Sequence, residues 1–270
     1  MARTERDLKA MMLGSSGLVS ESQRTLSTLV DRASNGDLPE VSRLLAAGVS
    51  ANATDEAGEP AICAAALGGH VGVVSLLLDG GARPSECTGF KETALHLAAR
   101  GQDRACMDLL VAAAAKDGNL AGLLAAENYM GATALHVASE VGAVACCRSL
   151  LAAGAPQAAE DHTGRTPLLL AVYWGHEEVL DALLLAGADP RHRTSSGETA
   201  LGLAESGGHA HLRLQIMTAV AQRAEEQLAE ARRQIEMDGA ALERVRDAAE
   251  RLTADLAREQ HMCADALLNR

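Results

Sequence analysis

The 270-residue chain is 48% hydrophobic, yet it holds only one Trp, two Tyr and one Phe, so any core must be filled by Leu, Ala and Val. Such a filling suits closely packed helices better than stacked strands and predicts an all-α protein. The formal charge of −12 has no Lys/Arg-rich run to offset it, which argues against nucleic acid and anionic membrane surfaces as partners.

In chain order, residues 1–27 mix Arg3 and Arg6 with Glu5 and Asp7 and contain no apolar run long enough for a secretory signal. They are expected to be a flexible or partly helical leader to a domain over 28–220. No segment approaches the roughly 20 apolar residues of a membrane span, so the expected location is the cytoplasm, with the nucleus as the alternative.

From residue 60 onward one pattern recurs: PAICAAALGGH at 60–70, TALHLAARG at 93–101, TALHVASEVG at 133–142, TPLLLAVYWGH at 166–176 and TALGLAESGGH at 199–209. A Leu-rich stretch follows each of the first two and the fourth at comparable places, as in VVSLLLDGGA at 73–82 and VLDALLLAGA at 179–188. Counted from Asp55, Thr88, Asn128, Asp161 and Thr194, the intervals are 33, 40, 33 and 33 residues. A fixed period of this size marks a stacked-repeat solenoid. Within each copy, Ala and Leu at three- and four-residue spacing give a helix an apolar stripe, and the small Ala side chains admit a neighbour closely. Segments such as DHTG at 161–164 and TSSG at 194–197 supply the turns between units.

These motifs resemble the ankyrin repeat, whose T-P-L-H-x-A hallmark each copy matches in part and whose closing G-A stands at Gly81-Ala82, Gly154-Ala155 and Gly187-Ala188. The resemblance covers about residues 28–220 and implies about six repeats, the first of them (Leu29 to Thr54) without its opening turn. Arg32 departs from the pattern, standing where the family usually buries Ala; a capping repeat with a wet outer side can accommodate it. The third copy is seven residues longer, around AAAAKDGNLAGLLAAE at 112–127, and is expected to extend the outer helix and add a loop.

Residues 221–270 differ in kind. They are rich in Ala, Glu, Arg and Leu and read as a long, coiled-coil-like helix. Apolar residues recur every seven positions at Ala221, Leu228, Ile235, Leu242, Ala249, Leu256 and Cys263, with Ala224, Ala231, Val245, Leu252 and Ala266 three residues on. Asp238, Gly239 and Glu259 interrupt this seam, and its many Ala residues bury little area. Pairing into a homodimer and a solvated or back-folded helix both remain open.

No catalytic constellation emerges. The chain lacks a nucleophile elbow, a phosphate loop and a kinase set. His176-Glu177-Glu178 lacks the second His of a zinc helix. Six cysteines, at Cys63, Cys87, Cys106, Cys146, Cys147 and Cys263, form no C-x-x-C pair and read as small buried apolar residues rather than disulfides or zinc ligands. His96 and His136 stand three residues after Thr93 and Thr133, and the resemblance implies that they tie turns together. His70, His176 and His209 follow Gly at turns and read as architectural. No cofactor, no metal and no enzymatic activity are expected.

The resemblance implies a protein-binding module that grips its partner with turn tips and with the exposed ends of the first helices. At those places stand Phe90 and Glu92, Arg100, Tyr129 and Met130, Glu140, Arg165, Tyr173 and Trp174. All four aromatic residues are in this set, and Trp, Tyr and Arg dominate interface energetics. Glu56, Glu59, Glu92, Glu140 and Glu198 around them suit a protein segment both apolar and basic. The expected function is a non-catalytic adaptor; the alternatives are the substrate-recognition part of a ubiquitin ligase and, last, an enzyme or inhibitor on the same scaffold.

Overall fold

The computed structural model describes residues 25–237 and 239. The chain divides between Met217 and Thr218 into two compact units. Among the described residues of the first unit there is no strand, only isolated bridges such as Thr54 to Pro60 and Cys87 to Thr93 where turn arms meet. Helices follow in pairs: α1 (25–34) with α2 (Leu38–Ala46), α3 (Ala61–Leu67) with α4 (Val71–Asp79), α5 (Ala94–Arg100) with α6 (Arg104–Lys116), then a short α7 (Leu120–Leu124). Next come α8 (Ala134–Glu140) with α9 (Val144–Ala152), α10 (Pro167–Trp174) with α11 (Glu177–Leu185), and α12 (Ala200–Ser206) followed by a single 3₁₀ turn over Ala210–Leu212. A long C-terminal helix occupies 213–237.

The inner helices are only two turns long and are apolar almost all round. Ala61 to Ala66, Ala94 to Ala99 and Pro167 to Val172 are each buried without interruption. A two-turn helix is too short to persist alone, so these depend on their neighbours. α3 packs on α5, α5 on α8, α8 on α10 and α10 on α12, while each also packs on its own outer helix. The outer helices are amphipathic and bury a stripe, for instance Val73, Val74 and Leu77 on α4 or Val179, Leu180 and Leu183 on α11. The Leu two residues after each inner-helix cap, Leu95, Leu135 and Leu168, is fully buried and stabilises its layer by about 1.5–3 kcal/mol.

Each repeat opens on a side chain that closes its own turn. The Asp55 carboxylate accepts from the N–H groups of Ala57 and Glu59, Asn128 Oδ1 from those of Met130 and Ala132, and Asp161 from those of Thr163 and Arg165. The chain then passes through positive φ at the fourth residue, where Gly58, Gly131, Gly164 and Gly197 stand. The third repeat instead places Lys91 there, at φ 57°. The same repeat has Gln102 at φ 57° where the others end their inner helix with Gly36, Gly69, Gly142, Gly175 or Gly208.

Histidines bolt neighbouring repeats together. His96 Nδ1 accepts from the Thr93 N–H at 3.2 Å while its Nε2 donates to the Ala132 carbonyl of the next repeat at 3.0 Å. His136 repeats this with Thr133 and the Arg165 carbonyl, at 3.0 and 3.1 Å. In the second repeat Cys63 takes the place, its thiol 3.8 Å from the Glu92 carbonyl. The turn histidines reach the other way: His70 to the Ser34 carbonyl and His176 to the Glu140 carbonyl, each at 2.9 Å. His209 packs its ring against Gly175, where a Cβ would stand 2.5 Å from it.

Arg32 is exposed and pairs with Asp37 at 3.5 Å, as a capping repeat allows. The longer third copy extends α6 to 13 residues, against nine in α4, α9 and α11, and its connection is no open loop: it folds into α7, which buries Leu123 and Leu124. Cys63, Cys106, Cys146 and Cys147 are buried free thiols, and burial pushes those of Cys106 and Cys147 up to about 12 and that of Cys146 to about 11. Cys87 departs from the expectation and is exposed at the end of its repeat. Cys263 lies outside the described residues.

Two measurements follow from this architecture. Burial lowers the pKa of His96 and His136, so the folded chain holds them neutral while the unfolded chain takes up protons below about pH 6.5. The contribution of the neutral rings is therefore present above about pH 6.5 and is lost as pH falls below it. Urea midpoints should drop between pH 7.5 and 5.5, and the drop should shrink in the double variant His96→Leu/His136→Leu. Separately, Lys91→Gly should raise stability by about 1 kcal/mol by removing a side chain from the left-handed region, read as a rise of a few degrees in melting temperature.

Candidate functional site

The turn tips form one continuous row because their backbones bond to one another. The Tyr129 N–H donates to the Phe90 carbonyl at 3.0 Å, His162 N–H to that of Met130 at 2.9 Å, and Ser195 N–H to that of Thr163 at 3.1 Å. The row stands over the ends of the inner helices and encloses a groove of about 640 Å³ across the third to fifth repeats. Its size is in the range that takes a few side chains.

Eight of the nine residues expected at the interface line this groove: Phe90, Glu92, Arg100, Tyr129, Met130, Glu140, Arg165 and Trp174. Three rings stand well out of the core, with Phe90 72%, Tyr129 67% and Trp174 49% exposed. Tyr173 is not among the lining residues. Its ring meets that of Trp174 edge-on, centroids 5.3 Å apart, and lies under the Arg165 guanidinium at 4.8 Å. It acts as the backing of the groove rather than its surface.

Glu92 is also placed differently from a free interface acid. Only 7% exposed, it holds Arg100 through two hydrogen bonds, Nη1 to Oε2 at 3.0 Å and Nη2 to Oε1. The pair joins the turn of the third repeat, two residues after Phe90, to the end of α5. Such a buried carboxylate is tolerated because the bidentate guanidinium satisfies it. The charged groups lining the groove with no carboxylate–guanidinium pairing are Glu140, Asp161 and Arg165, and of these Asp161 accepts hydrogen bonds within its own turn.

The groove also uses residues outside the expected set. Val137 and Leu170 form part of its floor, and Asn128, Asp161 and Thr163 its turn side. Val137 and Leu170 occupy the variable position of the L-H-x-A segment, which carries no chemical signature, though its place on the inner helix could have nominated it. Glu56, Glu59 and Glu198 are not lining residues. Among the described residues there is no cluster of three or more His, Cys, Asp or Glu side chains able to hold a metal ion. No described helix is long and apolar enough to cross a membrane.

Paired helices stacked repeat on repeat, with their turn tips bonded in a row, define a repeat solenoid. The family model for ankyrin repeats (3 copies) matches residues 29–120 and 109–194, more than half of the chain, and the chain belongs to the ankyrin-repeat family. It is similar to the crystal structure of an ankyrin repeat domain from Acinetobacter baumannii AYE, at 25% identity over 72% of this chain and 97% of that one, TM-score 0.63. It is also similar to the ankyrin repeat domain of Bcl-3, a member of the IkappaB protein family, at 31% identity over 71% of this chain and 85% of that one, TM-score 0.64. No curated protein matches the chain.

Proposed function

We propose that this protein is a non-catalytic adaptor that captures a partner protein in the groove of the third to fifth repeats. The observation that carries the reading is the convergence of Phe90, Tyr129, Met130 and Trp174 in one cavity, since these are exposed side chains that a folded domain has no internal reason to display together. Ankyrin repeats generally mediate protein–protein interaction, which supports a protein as the occupant. Cytoplasm or nucleus is the compartment this reading assumes. In it, residues 28–220 form the repeat domain and 221–270 a separate attachment.

The tail gives the adaptor its second function. On the described C-terminal helix Ala221, Ala224, Leu228, Ala231 and Ile235 are all exposed, a stripe at heptad spacing that another helix would cover. The rest of the seam, from Leu242 to Ala266, lies outside the described residues. A second copy of the chain is the simplest partner for it, because identical stripes match in register.

Two experiments test these statements. Trp174→Ala should weaken partner capture at least about thirtyfold, since a central anchor contributes about 2 kcal/mol or more, while moving the melting temperature by only a degree or two. Equal losses of binding and stability would make Trp174 a packing residue; unchanged binding with an unchanged melting temperature would move the anchor elsewhere, with the Phe90 and Tyr129-Met130 turns next in line. For the tail, sedimentation should give a concentration-dependent dimer that disappears on deletion of residues 221–270, whereas a monomer at high micromolar concentration would reject pairing.

A further inference from the structure

The groove's charges are not equivalent. Glu92 is held by Arg100. Asp161 is engaged in its own turn, accepting from the Thr163 and Arg165 N–H groups and from the Thr163 hydroxyl. Arg165 lies over the ring of Tyr173, which occupies that face of the ring as a cation seat. Glu140 alone presents an exposed carboxylate that makes no hydrogen bond or ion pair among the described residues; only its backbone carbonyl is engaged, by His176. It lines the same groove as Trp174 and Tyr129.

The neighbouring turn is mixed in sign. On the second repeat's turn Glu59 has its pKa raised, first by partial burial and then by Asp55 and Glu92, while Arg100 pairs with Glu92 and exposed Lys91 adds a positive charge, so Glu140 is the acid that stands apart. The whole chain carries −12, and no compensating basic run exists to turn the field around.

We infer that the occupant of the groove is a protein segment bearing a basic side chain next to a large apolar one, the basic group meeting Glu140 and the apolar one lying among Phe90, Tyr129, Met130 and Trp174. This rests on the protein-binding reading and specifies its chemistry. The groove of about 640 Å³ is of a size to take a few side chains. The Arg165 guanidinium serves main-chain carbonyl oxygens, acceptors present in any such segment. The tip backbones are already joined to one another, so the segment docks by side chains rather than by adding a strand.

Trp174 is the only tryptophan of the chain, so its emission reports directly on the groove. The full chain is titrated with two synthetic peptides of equal length, one alternating Leu and Lys, the other Leu and Glu. The Lys peptide should shift Trp174 emission saturably and bind at least about tenfold more tightly than the Glu peptide, with affinity falling as salt is raised. Glu140→Gln should weaken the Lys peptide about fivefold. Glu178→Gln changes the net charge equally but lies on the exposed outer side of α11, and it should leave binding unchanged. The inference is overturned if the Lys peptide leaves the emission unmoved, if the Glu peptide binds as well, or if the two glutamine variants lose affinity equally. Any of these outcomes leaves the adaptor reading to the Trp174→Ala capture experiment, which can succeed with a partner segment that is acidic.

Discussion

The inner helices α5, α8 and α10 are each covered by the inner helices of the repeats on either side, and that mutual covering is the constraint from which the rest of the structure follows. A seven-residue helix such as α5, with Ala94 to Ala99 wholly enclosed, has no stability outside the stack. The enclosure requires small side chains, which is why Ala dominates the inner helices. It also requires the polar groups caught between repeats to find partners, and the imidazoles of His96 and His136 bridge each cap to the next repeat's carbonyl. Where the bridging residue changes to Leu169, the bolt is lost but the burial remains, so packing is the primary term and the hydrogen bond refines its register.

The same covering explains the groove. Because the inner faces are consumed by neighbours, the side chains free to vary are those on the turns and at the helix ends, and these lie side by side once the repeats are stacked. Rings separated by as much as 84 positions, Phe90 and Trp174, thereby share one cavity. The Glu92–Arg100 pair and the Arg165–Tyr173 stack hold two of its walls, so part of the ordering that binding would otherwise demand is already done within the free protein.

Much of this was legible in the sequence because the period is a property of contacts between neighbours. The repeats, the family, the bridging role of His96 and His136, and the tolerance of Arg32 could all be read from spacing and motif. Most of the groove could too, since its residues occupy fixed places in each unit. What could not be read is which charges meet. Glu92 and Arg100 are eight positions apart, a separation with no helical or strand meaning, and only the fold of the turn brings them together. Tyr173 and Trp174 are adjacent, so the sequence could not say which ring faces outward. The folding of α7 within the insertion likewise depends on Leu123 and Leu124 finding a buried place, which the unusual length of the third copy alone does not reveal.

The insertion has a consequence for the geometry a partner meets. His96 reaches a carbonyl 36 residues ahead and His136 one only 29 ahead, yet the two bonds measure 3.0 and 3.1 Å. The extra chain is taken up on the outer side, in the longer α6 and in α7, while the inner side keeps its step. The inner-helix side therefore works as a ruler whose graduations are set by helix-to-helix contact, and the outer side works as a margin where length can be added. Chain inserted into that margin changes what the back of the molecule displays without moving the marks against which a bound segment is read.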